Sequence, residues 1–111
     1  MINKASEFPA ALAQLAEFAK AFSHPARIRI LKTIGKRGEC ICGELVDVMP
    51  LAQSTVSQHL RELKSVGLIR GETEGVTSCY CIDWKTMNRY RSMMNDFFQE
   101  MESCQKSQDC C

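Results

Sequence analysis

Seven cysteines in 111 residues are the side chains best suited to chemistry in this chain. They fall into three groups: Cys40-Ile41-Cys42, Cys79-Tyr80-Cys81, and Cys104 followed by the vicinal pair Cys110-Cys111. Thiolates are soft ligands that select thiophilic ions over magnesium or calcium. They are also the centres of thiol–disulfide exchange. An odd count excludes a fully paired monomer. The N-terminus has no basic segment followed by a continuous apolar stretch, so no secretory signal is read and a cytoplasmic location is expected. Disulfide staples are uncommon there, which leaves metal binding or thiol sensing as the leading chemistry. Histidine is scarce: His24 and His59 are the only two, with none on the C-terminal segment. Neither has a nucleophile–acid partner and no phosphate loop is present, so an enzyme is not expected.

The elements that carry these thiols follow from periodicity. Phe8–Phe22 has apolar residues at Leu12, Leu15, Ala16, Ala19 and Phe22, a helical spacing, with Pro9 in the first turn. Gln14, Glu17 and Lys20 interrupt it, so it cannot span a membrane. Ser23 is read as the cap of a second helix over Pro25–Ile34, with Ile28, Leu31 and Ile34 inward and Gly35 and Gly38 ending it. A short third helix is predicted over Ile41–Met49, stopped by Pro50. After the turn Pro50-Leu51-Ala52, a helix from about Gln53 to Ser65 carries the inner stripe Val56, Leu60 and Leu63, and Gly67 closes it. Strands Leu68–Glu74 and Thr77–Ile82, joined at Glu74-Gly75-Val76, form a hairpin. A last helix runs from about Asp83 towards Cys104, with Met87, Tyr90, Met94, Phe97, Phe98 and Met101 on one side.

This order predicts a mainly α fold with a small β-hairpin, a winged helix-turn-helix. One domain over residues 1–104 and a flexible, cysteine-containing tail over 105–111 are expected. At 45% hydrophobic and 24% charged the composition is that of a globular chain. So small a domain leaves its first and last helices little core to cover, so they are expected to dimerise.

On the Gln53–Ser65 helix, Ser54, Gln58 and Arg61 lie opposite the inner stripe, flanked by Gln53, Thr55, Ser57 and Lys64. Amides and short hydroxyls in the first turns suit base edges in the major groove. Arg61 and Lys64 suit phosphates, as do the open amides at the helix start. His59, beside the stripe, is read as a packed, hydrogen-bonded histidine. The net charge of +1 conceals an asymmetry. Residues 1–70 carry ten Lys/Arg against six Asp/Glu, or +4, and residues 71–111 carry four against seven, or −3. The basic half is the one expected to face DNA.

Three ordered motifs resemble the ArsR-type metal- and metalloid-sensing repressors: Phe22-Ser23-His24-Pro25-Ala26-Arg27-Ile28-Arg29-Ile30-Leu31, then Leu51–Leu60, then Val66-Gly67-Leu68-Ile69. The resemblance covers roughly residues 10–100. It implies a homodimer that binds double-stranded operator DNA near its own gene and releases it when an inducer binds. The wing departs from the family, with Glu72, Glu74 and only Arg70, so its tip should add little DNA affinity. Cys40-x-Cys42 resembles the metalloid motif of the family's arsenic and cadmium sensors. Residues two apart on a helix point roughly 200° from each other. Closing both thiols on one ion would therefore unwind the helix start, which Gly43 eases.

The family's further cysteine is here Leu45, so two sulfurs are too few. Trivalent arsenic or antimony prefers three thiolates, and cadmium or zinc usually takes four ligands, with lead a further candidate. The missing donors are expected from Cys104, Cys110 and Cys111, of either subunit. Cys79 and Cys81, two apart on a strand, share a face with Cα atoms roughly 6.5–7 Å apart, near the upper limit for a disulfide. A structural role beside the dimer helix is expected of them. The family's last-helix zinc site is not expected, since Asp83, Lys85, Asp96 and Gln99 stand at its positions. No cofactor is expected for DNA binding itself. Two other readings remain open at this point: a persulfide or redox sensor linking Cys42 to Cys104, and a metal-trafficking thiol protein.

Overall fold

A computed structural model describes residues 7–38, 41–42, 49–74 and 77–107. In chain order the elements are α1 (Ala10–Ala21), α2 (Pro25–Arg37), β1 (Ile41–Cys42), α3 (Gln53–Ser65), β2 (Ile69–Glu74), β3 (Thr77–Ile82) and α4 (Trp84–Ser107). The strands form one antiparallel sheet in the order β1-β3-β2. The predicted hairpin is therefore present and gains a third strand. Glu74–Thr77 is its last described rung and Ile69–Ile82 its first. No described helix is long and apolar enough to cross a membrane.

The core is built from one stripe of each helix and the base of the wing. Ile30 and Ile34 of α2, Val56 and Leu63 of α3, and Leu68 and Ile69 at the start of the wing are fully buried together. Phe18 joins them from α1. Tyr90 of α4 then packs on α1, its ring centroid 5.0 Å from both Phe18 and Phe22. Burial raises the Tyr90 phenol above its usual value of 10.0, which keeps it neutral.

Several local expectations are corrected. The α2 cap is His24, not Ser23: its Nδ1 accepts from the Ala26 amide at 3.0 Å. Pro25 at the first helical position forces the residue before it into an extended conformation, and that residue is His24. Ser23 instead donates to the Lys20 carbonyl at 2.6 Å. Gly35 does not end α2. The helix runs to Arg37, and Gly38, at φ 71°, takes the left-handed position that only glycine adopts freely. Ile30 rather than Ile28 faces the core.

The largest correction concerns the segment Ile41–Met49. Its first two residues are strand, not helix: Ile41 pairs with Tyr80 and Cys42 with Cys79. The edge of β3 presents backbone donors and acceptors that a neighbouring strand satisfies. Residues 43–48 of the predicted helix lie outside the described residues, as do Glu39 and Cys40.

The apolar stripe predicted on the first helix is split: Leu12, Ala16 and Ala19 are exposed, while Leu15 and Phe22 are half-buried. Phe18 and Ala21 are the buried residues of α1, whereas Leu12 is 55% exposed. Phe97, Phe98 and Met101 are exposed on the second half of α4, which runs on to Ser107. A radius of gyration of 16.9 Å, against roughly 13 Å for a compact chain of this length, reflects these projecting helices.

Candidate functional site

The site that positions side chains for a partner is the outward face of α3. Val56, Leu60 and Leu63 are buried beneath it against α2 and β2. That anchorage leaves Gln53, Ser54, Gln58, Arg61 and Lys64 exposed, with Thr55 and Ser57 half-buried at the flanks. All seven predicted contact residues thus lie away from the core. Ala52 is the N-cap: its carbonyl takes the Thr55 and Val56 amides, and no side chain caps this end. The opening amides and the positive end of the helix dipole are therefore open to an anion. Gly67, at φ 83°, turns the chain out of α3 into the wing, and its Cα packs near Thr86 of α4.

Beneath this face lies a small polar cluster. His59 is only 8% exposed, and its Nδ1 accepts from Nε of Arg27 at 3.2 Å. Nη1 of Arg27 donates to the Lys20 carbonyl at 3.0 Å. The His24 and His59 rings stand 4.4 Å apart. The reading of His59 as packed and hydrogen-bonded holds, and one cation of the basic half, Arg27, is used internally. The Arg27–His59 pairing has no local sequence signal, since the two are 32 residues apart. Arg29, Lys32 and Lys36 remain exposed on α2, where they line a shallow groove.

Burial holds the His59 pKa below its ordinary 6.5, with further lowering from the charges of His24 and Arg27 and a smaller opposing effect from Glu62. The sign follows from linkage. Below pH 6.5 the unfolded chain takes up this proton before the folded one, so stability is full above 6.5 and falls as pH drops below it. Thermal unfolding should show Tm declining from pH 7 to pH 5, with a shallower decline in His59→Gln. Identical slopes for the two proteins would rule His59 out as the source.

The thiols fall in two places. Cys79 and Cys81 on β3 are half-buried and disulfide-bonded. Cys81 borders a cavity shared with Gly38, Arg70 and Trp84. Arg70, opposite Cys81 in the ladder, reaches Asp83 at 3.9 Å, and Asp83 in turn caps α4 by accepting the Thr86 amide. Cys104 lies far off, exposed on α4, twenty residues beyond Trp84. At 1.5 Å per residue that is about 30 Å along the helix. Cys110 and Cys111 are outside the described residues. Among the described residues no three His, Cys, Asp or Glu side chains gather to hold a metal ion. The strand at Ile41–Cys42 was missed. Two residues set no period, so no local signal in the sequence could have found it.

Comparison with known proteins agrees with this geometry. A helix-turn-helix domain family model matches residues 22–72. The chain is 33% identical over 90 residues to the transcriptional repressor SmtB homolog of Synechocystis, spanning 80% of this chain and 67% of that protein. It is 30% identical over 87 residues to the HTH-type transcriptional regulator YgaV of Escherichia coli, spanning 78% and 88%. The solved homodimeric winged helix-turn-helix DNA-binding domain Mb0332 of Mycobacterium bovis superposes with a TM-score of 0.62 at 22% identity, covering 93% of each chain. That last likeness is one of fold.

Proposed function

Because the chain belongs to the ArsR-type family of winged helix-turn-helix transcriptional regulators, we propose that it is a homodimeric repressor that releases double-stranded operator DNA when trivalent arsenic or antimony binds its cysteine thiolates. The carrying observation is the pairing of two features on one support. The exposed face of α3 is ready for the major groove, and Cys42 sits eleven residues ahead of it on a strand joined to the wing. Gln53, Ser54, Thr55, Ser57 and Gln58 read base edges in this proposal, and Arg61 and Lys64 hold phosphates. Arg29, Lys32 and Lys36 of α2 add basic surface beside them.

The dimer reading is supported by the outward apolar residues Phe8 and Leu12 near α1 and Phe97, Phe98 and Met101 on α4. These are too many large apolar groups for a lone surface of this size. Mb0332 is itself described as homodimeric. Two copies would place two α3 helices on successive turns of the duplex.

Operator affinity measured by fluorescence anisotropy in a reducing buffer tests the inducer. Arsenite or antimonite should weaken binding at least tenfold, an ordinary allosteric coupling. Affinity unchanged at saturating arsenite would refute arsenic as the signal. Zinc, cadmium and lead in parallel titrations show whether the site prefers four ligands.

A second reading, a persulfide or redox sensor, is favoured by one observation: Cys79 and Cys81 are disulfide-bonded. Its proposed Cys42–Cys104 link would have to join two subunits, given the length of α4. Release by polysulfide with no response to arsenite would select it.

A further inference from the structure

We propose that the wing supplies the sulfurs that Cys40-x-Cys42 lacks, so that Cys42 of β1 and Cys79 and Cys81 of β3 form one three-thiolate site for trivalent arsenic. This rests on the reading of the chain as a thiol-responsive repressor and names the ligand set of that response. Three observations carry it. Cys42 and Cys79 are directly opposed in the β1–β3 ladder. Opposed residues of an antiparallel pair share a face, with Cα atoms about 4.5–5.5 Å apart, and Cys81, two residues along, shares that face too. Both β3 cysteines are disulfide-bonded, so each already has another sulfur within bonding reach.

A disulfide between Cys79 and Cys81 would have to span two strand residues, roughly 6.5–7 Å between Cα atoms. The opposed position across the ladder is nearer. Thiolates lie about 2.3 Å from a soft ion such as zinc, hence roughly 4 Å from one another. The cross-strand and i, i+2 spacings of an antiparallel ladder are compatible with that separation. Cys81 also opens onto the cavity lined by Gly38, Arg70 and Trp84, which gives a route in, and the Arg70 cation there opposes the thiolates' charge. Cys104 has no such placement, lying on α4 about 30 Å along the helix from its start at Trp84.

The chemistry balances. Each disulfide first takes two electrons and two protons from a small thiol reductant, giving two thiols. Arsenous acid then exchanges three As–O bonds for three As–S bonds. The three hydroxyl groups leave as water with the three thiol protons, and arsenic stays trivalent. Drawing the two strands onto one ion changes the attachment of the segment that leads into α3, so binding at the sheet is felt at the operator.

The test uses the full chain, reduced with a phosphine that is then removed, and sodium arsenite as the probe. Alkylation followed by mass spectrometry on the unmutated protein should show arsenite protecting Cys42, Cys79 and Cys81 while Cys104, Cys110 and Cys111 stay reactive. The Cys79→Ser/Cys81→Ser protein should bind arsenite at least tenfold more weakly. The Cys104→Ser/Cys110→Ser/Cys111→Ser protein should stay within twofold. Protection of the tail cysteines instead of Cys79 and Cys81 overturns the wing site and leaves the arsenic reading standing. No arsenite binding by the unmutated protein overturns both. Because protection is read without a mutation, a misfolded double variant does not shield the proposal from refutation.

Discussion

Truncating Leu63 to alanine is expected to cost about 3–5 kcal/mol of folding stability and to remove operator binding at ordinary temperatures. Leu63 is fully buried in the layer where α3 meets α2 and the root of the wing. Removing a large side chain from such a site loses its transfer energy and leaves a cavity the neighbours only partly fill. A domain of this size has only about 5–15 kcal/mol in total, so a fifth or more is at stake. The loss strikes function directly, because Val56, Leu60 and Leu63 are what hold the outward face of α3 in register. Chemical denaturation should show a lower midpoint with an unchanged slope. A loss below 1 kcal/mol would mean that α3 is supported by contacts other than this stripe.

Replacing Gln58 with alanine should weaken binding to the cognate operator by about 1–3 kcal/mol, the range of one good bidentate base contact. Binding to unrelated DNA should hardly change, since Gln58 carries no charge. Arg61→Ala should behave oppositely. It should weaken both cognate and unrelated DNA and lower the slope of log affinity against log salt by about one. Both residues are exposed on the same face of α3, so neither change should disturb folding. Equal losses on both DNAs for Gln58→Ala would move that residue from reading bases to positioning the backbone.

Much of this was readable from the residues. The α3 stripe at Val56, Leu60 and Leu63, the closing turn at Gly67 and the two wing strands are set by local periodicity and by glycine at a positive φ. What failed locally failed for physical reasons. Proline at the first position of α2 transfers the cap to His24, which a search for serine or threonine caps overlooks. The stripe on α1 is real, but its direction is not a local property: Phe18 faces the core, and Leu12 faces outward. Ile41–Cys42 was misassigned because its strand exists only through its partner, and a two-residue strand has no periodicity of its own. The candidate thiol site depends on the same long-range pairing. From spacing alone Cys79 and Cys81 belong to the wing and Cys42 to another element, and only the sheet order β1-β3-β2 brings them together.

That order has a topological consequence. The Cys42–Cys79 rung joins positions 37 residues apart in sequence, and α3 and β2 both lie between them. A covalent or ion-mediated clasp at the rung closes this stretch into a ring, while α1, α2 and α4 stay outside it. Closing a loop of that length removes roughly 4 kcal/mol of chain entropy from the opened state. The clasp would therefore act as a selective tether, making α3 harder to melt out than the helices that flank it. Whether sulfur at this rung is clasped or open would then govern how often the reading helix comes loose, independently of any shape change it imposes on the bound form.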